Sequence, residues 1–172
     1  MKKRVFIPII IIIALLFISF QFFNTIDNVE IGSKFTNSQF NSLVWSDEFN
    51  DKDGAINTRK WFHQTKIPSH GSWYNNEIPH HTNRTSNTFL KDGFLHLVAK
   101  KETFKDQGIT KQYTSARLNS KFAFTYGRLE VRAKLPKGIG TWPAIWMLNK
   151  TINEKGAYWE TQGFGSSNWP NC

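Results

Sequence analysis

The stretch "RLEVRAKLPKGIGTWPAIWML", Arg128 to Leu148, fixes the class of structure. Its first half alternates strictly. Arg128, Glu130, Arg132 and Lys134 fall on one face of a strand, and Leu129, Val131, Ala133 and Leu135 on the other. After the Pro136-Lys137-Gly138 break, Trp142 and Trp146 lie four residues apart and so share a strand face. A face carrying Arg, Glu and Arg at steps of two is too charged for a core and is expected to face water.

Outward from this block, strand signals dominate. "SLVWSDEF" (42–49) opens a domain, and "NTFLKDGFLHLVAK" (87–100) places two apolar runs around Asp92-Gly93, a strong two-residue hairpin signal. "YTSARLNSKFAF" (113–124) follows, closed by Tyr126-Gly127. No helix-period stretch of useful length occurs after the N-terminal segment, and no internal repeat is visible. Short strands, antiparallel turn chemistry and no βαβ rhythm predict an all-β fold, an antiparallel β-sandwich of the jelly-roll or a related kind.

The N-terminus is a different object. "MKKR" precedes an apolar run from Val5 to Phe23, broken only by Pro8, Ser19 and Gln21. Charge followed by a long apolar stretch is the pattern of a secretory signal or signal anchor, expected here as one hydrophobic helix over 1–24. No A-x-A-like cleavage site follows it, which favours an anchor. The cationic residues should stay in the cytoplasm, so the rest is expected outside it: membrane-anchored through 5–23, or secreted if the segment is cleaved. Residues 25–41, polar and Ser/Asn-rich, read as a linker, and 42–172 as the domain.

The chain has 172 residues, seven Trp and fifteen Phe, an aromatic-rich composition that excludes a disordered chain. Setting aside Lys2, Lys3 and Arg4 leaves nineteen basic against thirteen acidic residues, a net charge of +6 on the exported part, down from +9. These charges are interleaved rather than clustered, which argues against nucleic acid as a partner. Cys172 is the single cysteine, so no internal disulfide can form. "NDKDGAIN" (50–57) resembles a calcium loop only superficially: an EF-hand alignment puts Phe49 and Lys60 at ligand positions. A turn closed by Asp and Asn side chains is the better reading. The five histidines lack zinc spacing, and His80 and His81, being adjacent, point to opposite strand faces.

Exposed tryptophans beside fixed charged donors and acceptors suit sugars, whose apolar ring faces stack on indole and whose hydroxyls bond Arg and Glu. An ordinary exposed sheet face with cross-strand ion pairs is the competing reading of the same residues.

The strings "LVWSDEFN", "WYNNEIPHHTNR", "DGFLHLVAKKE", "YTSARLNSKFAFTYGRLEVRAKLPKGIGTWPAIWML" and "GFGSSNWPNC" resemble, in order, successive blocks of the laminarinase-like members of glycoside hydrolase family 16. The resemblance runs from Leu43 to the end of the chain and marks 42–172 as a partial domain of that family. It implies a concanavalin A-like jelly roll with a sugar cleft across its concave face. It also implies retaining endo-hydrolysis of β-glucan, either β-1,3 or mixed β-1,3/1,4-linked. By the same resemblance Asn75, Asn76, Arg128, Glu130, Arg132, Trp142 and Trp146 are the expected substrate-binding residues. No cofactor is implied. Glu48 and the Gly93 carbonyl match positions of a structural calcium that would be incomplete in this chain.

Retaining hydrolysis requires two carboxylates about 5–5.5 Å apart, which the family supplies as E-x-D-x-E or E-x-D-x-x-E on one strand. No such pattern occurs in these 172 residues. Asp47 and Glu48 diverge, Glu130 is flanked by two arginines, and Glu160 has no acidic partner at a step of two or four. No catalytic residue is assigned. The expectation is an N-terminal part of an enzyme, truncated at its C-terminal side and inactive alone, with open strand edges. The alternatives are a non-catalytic β-glucan-binding protein on the same fold, or an anchored structural domain with Trp142 and Trp146 packed in a core.

Overall fold

The computed structural model describes residues 40–169. The expected N-terminal helix, the membrane segment at 5–23 and most of the linker lie outside the described residues, and none of the helices within them is long and apolar enough to cross a membrane. The chain divides into two units, Met1–Asn41 and Ser42–Cys172, and the architecture below is that of the second.

Seven short strands carry it: β1 (Trp61–His63), β2 (His80–His81), β3 (Thr88–Lys91), β4 (Phe94–Leu97), β5 (Lys100–Asp106), β6 (Ile109–Ser115) and β7 (Leu118–Ser120). One helical turn, α1 (Tyr158–Thr161), and a 3-10 turn over Tyr74–Asn76 complete the described elements. β3 and β4 form the expected hairpin with Lys91 opposite Phe94. Asp92 and Gly93 between them have φ of 53° and 75°, the left-handed pair that a two-residue turn matching the strand twist demands. β5 and β6 form a second hairpin through Gln107-Gly108 with a bulge between Lys101 and Phe104, and β2 joins β6 in parallel. β1 pairs antiparallel with β7.

The "NDKDGAIN" segment is a turn, as its composition predicts. Asn57 Nδ2 donates to Asp51 Oδ2 (3.2 Å) and the Arg59 amide to Asn57 Oδ1 (3.1 Å). Asp53 Oδ1 accepts the Asp92 amide (3.1 Å), and Gly54 exchanges two backbone bonds with Leu90, which seats the turn on the first hairpin.

A polar network locks the two hairpins together. Asn87, fully buried, accepts from Thr82 Oγ1 (2.6 Å) and Arg84 Nη2 (2.9 Å) and donates to the Val98 carbonyl (2.9 Å) and Thr114 Oγ1 (3.0 Å). Every capacity of the amide is used, which is the condition for a buried polar group to rigidify rather than destabilise. The Thr114 hydroxyl in turn donates to Glu102, whose carboxyl is held below its usual range chiefly by Arg84 and then by this hydroxyl. Around Trp61 an aromatic cluster gathers. Trp45 meets it edge-on at 5.6 Å and stacks on Phe122 at 5.7 Å, while Trp61 Nε1 donates to Asp47 Oδ2 (2.7 Å).

The alternating stretch departs from expectation. Residues 122–148 contain no strand, although their period-two pattern is as strong as any in the chain. A ladder needs a neighbour's N–H and C=O groups, and among the described residues nothing runs beside this segment. Within it the backbone bonds among the described residues reduce to a turn, the Thr141 amide donating to the Gly138 carbonyl. Val131, expected to face the core, is 56% exposed, and Leu129 and Leu135 are exposed with it.

Asn87→Ala should therefore lower unfolding stability by about 2–4 kcal/mol, since it strands several buried groups at once. Thr103→Ala, which removes only an exposed bond to Gln112, should stay within about 0.5 kcal/mol. Urea unfolding of the two variants against the parent measures both.

Candidate sugar-binding site

Two loops and the β6–β7 junction converge on one arginine. Arg117 follows β6 by two residues, and its guanidinium carbon lies 5.0 Å from the Trp146 ring centroid and 5.4 Å from that of Trp73. It forms an ion pair with Glu154, both side chains being only 12% exposed. A planar guanidinium can stack on indole with its N–H edge still free to bond, which suits this sandwich better than an ammonium would.

Trp73 is buried and meets the His81 ring at 4.7 Å. It leads into the turn over Tyr74–Asn76, where Asn75 and Asn76 both have left-handed backbones, with φ of 54° and 59°. Such conformations cost about 1–3 kcal/mol outside glycine and concentrate where side chains are aimed at ligands; both asparagines are exposed. His81 Nε2 lies 3.0 Å from Glu77 Oε2, which ties this turn to β2.

The loop bearing Glu154 is held from both ends. The Asn153 amide donates to the Ser167 carbonyl (2.6 Å), the Ser166 and Ser167 amides to the Thr151 carbonyl, and Ile152 is buried. Downstream, Gln64 Nε2 donates to the Lys155 carbonyl (3.2 Å), and Asn119 bridges Gln64 and the Tyr158 amide. Gly156 sits against Lys66 with φ of 76°, and a Cβ there would lie 2.5 Å from the lysine's own Cβ. Burial pushes the Glu154 carboxyl above its usual range; the Glu77 charge adds to this, while Arg117 and Gln64 oppose it.

Of the residues expected at a sugar site, the structure brings Trp146 to Arg117 and places Asn75 and Asn76 in the turn that Trp73 opens. Arg128 and Glu130 pair with each other at 2.5 Å, both exposed, an arrangement that contributes little to stability. Arg132 and Trp142 are exposed, and Trp142 at 76% is far from a packed core residue. Sequence reasoning passed over Arg117, Trp73 and Glu154. The first two stand inside the quoted strings "YTSAR" and "WYNNE"; Glu154 lies in a loop with no pattern to flag it.

Glu48 is exposed and Gly93 is a turn residue. The Glu48 carboxylate and the Gly93 carbonyl together offer at most about three oxygens where calcium takes about six to eight. Among the described residues no group of three or more His, Cys, Asp or Glu could hold a metal ion.

Comparison with known proteins identifies the family. Residues 73–161 match the model of glycosyl hydrolases family 16, and the chain belongs to that family. It is 43% identical over 124 residues to a β-glucanase of Rhodothermus marinus, covering 70% of this chain and 41% of that protein. It is 39% identical over 119 residues to glucan endo-1,3-β-glucosidase A1 of Niallia circulans, 63% and 17% respectively. Among solved structures, LamA of Zobellia galactanivorans in complex with laminaritriose and laminaritetraose superposes with a TM-score of 0.72 at 55% identity, over 76% of this chain and 52% of that one. The fold is accordingly an all-β jelly roll. The chain spans about half the length of this solved relative and less of the two others.

His81 supplies a pH dependence. Burial lowers its pKa from the ordinary 6.5, with Glu77 opposing, so the unfolded chain binds the proton better than the folded one. The stability His81 contributes is complete above pH 6.5 and is lost as pH falls through its lower folded value. His81→Gln should flatten that acid-side decline in melting temperature, read from thermal unfolding between pH 8 and pH 5, about 1.5 units either side of the ordinary value.

Proposed function

We propose that this chain serves the endo-hydrolysis of β-glucan with retention, and that residues 42–172 supply the sugar-binding wall of a family 16 cleft. The observation that carries the reading is the Arg117 guanidinium lying over both the Trp73 and the Trp146 rings, with Trp73 leading into the Asn75-Asn76 turn. Indole faces and a fixed planar donor are what a glucosyl ring and its hydroxyls require. The preferred ligand is β-1,3-linked glucan, the linkage of the laminarin oligosaccharides bound by LamA; mixed β-1,3/1,4-glucan is the close alternative. Arg128, Glu130, Arg132 and Trp142 are proposed for the same wall on the strength of the family resemblance and their exposure.

The chemistry of cleavage is not carried by these residues, since no carboxylate pair of the required spacing occurs among them. The chain as given should release no reducing ends from laminarin. Export, with residues 5–23 as signal or anchor, 25–41 as linker and 42–172 as the domain, is proposed from the sequence pattern.

Titration of the chain with laminaritetraose, followed by indole fluorescence, tests the reading. Arg117→Ala and Trp146→Ala should each weaken binding about tenfold or more, each lost contact contributing roughly 1.4 kcal/mol or above. Tyr113→Ala, on the outward face of β6, should bind like the parent. Equal affinity across all three variants overturns the placement of the site.

A further inference from the structure

Glu154 belongs to no motif, yet its position is heavily determined. The Thr151–Ser167 bonds, the buried Ile152 and the close approach of Gly156 to Lys66 all bring it to Arg117. An arginine side chain has four rotatable torsions and would not stay between two rings unaided. Stacking on two ring faces leaves its in-plane rotation free, and only an acceptor in the guanidinium plane fixes that rotation. Glu154 supplies it, and Glu77 and Gln64 are the neighbouring groups that shape its charge.

Resting on the reading of this cleft as a β-glucan site, we propose that Glu154 is a positioning residue: its carboxylate pins Arg117 between Trp73 and Trp146, and glucan binds with full affinity only while that ion pair is intact. Glu154 itself touches no sugar in this scheme. Protonating it puts one proton on the carboxylate, turns an ionic pair into a neutral acceptor beside a cation, and frees Arg117 to rotate toward solvent. The groups facing the pair are Arg117 at the β6–β7 junction, Glu77 in the turn after Trp73, Gln64 after β1, and, next to Arg117, His81 on β2 with Lys111 on β6 beyond it. Because burial raises the Glu154 pKa, the pair should break at a pH where exposed carboxylates are still ionised.

The test uses the full 172-residue chain, laminaritetraose as probe, and two readouts: affinity across about pH 3.5 to 8, a span that brackets the ordinary Glu and His values of about 4.3 and 6.5, and the NMR signals of the Arg117 guanidinium. The parent should lose affinity on the acid side. Glu154→Gln, nearly isosteric, should weaken binding about tenfold at neutral pH, abolish that acid limb, and broaden or shift the Arg117 signals. Glu154→Asp should recover part of the affinity with its pH limb, and His81→Gln should keep the limb. A Glu154→Gln variant that binds like the parent with the same pH profile, or leaves the Arg117 signals unchanged, overturns the proposal while the glucan reading stands. A parent that binds no laminaritetraose overturns the glucan reading and this proposal with it.

Discussion

A guanidinium that is largely withdrawn from water must find a counter-charge, and much of this structure is arranged around that requirement at Arg117. Leaving a buried charge unpaired destabilises a fold by about 3–5 kcal/mol, more than most single contacts supply. Arg117 stands at the β6–β7 junction, where β6 leaves the second hairpin and β7 joins β1. Its partner is thirty-seven residues away in sequence. The loop that brings Glu154 back is anchored by main-chain bonds to the 166–167 segment and by the buried Ile152. The ion pair thereby ties the β1–β7 pair, the turn after Trp73 and the 151–167 loop into one surface.

The second constraint is polar satisfaction. Among the described residues the fully buried side chains are His80, Gln64, Asn87 and Thr114, beside the buried Ile56, Ile67, Trp73 and Leu90. Apolar burial is thus joined by directional bonds, which help to specify one arrangement. Asn87 joins the first hairpin to the β6 strand, and Gln64 and Asn119 join β1 and β7 to the Glu154 loop. Hairpins of seven residues or fewer per strand, marginal in isolation, are held in register by these links.

The region 122–148 shows the same physics from the other side. Its alternating charge and apolar residues satisfy every local requirement of a strand, but a strand is defined by what lies beside it. With no strand partner among the described residues, Leu129, Val131 and Leu135 remain exposed alongside the charged residues they alternate with. Trp146 is as exposed as Val131 and differs in having the Arg117 guanidinium over its ring.

By itself the sequence determined the all-β class, the Asp92-Gly93 hairpin and the Asp/Asn turn at 50–57, since turn chemistry and period-two patterns act over a few residues. The ordered strings also identified the family. Only the tertiary structure could decide that Arg117 lies over the Trp73 and Trp146 rings and that Glu154 is its counter-charge. Those choices depend on burial, which is set by residues distant along the chain. They depend as well on loop closures such as Gly156 against Lys66, where one missing Cβ admits the loop to its place. The reversal at Val131 has the same origin: alternation says which residues share a face, while the rest of the fold says whether anything covers it.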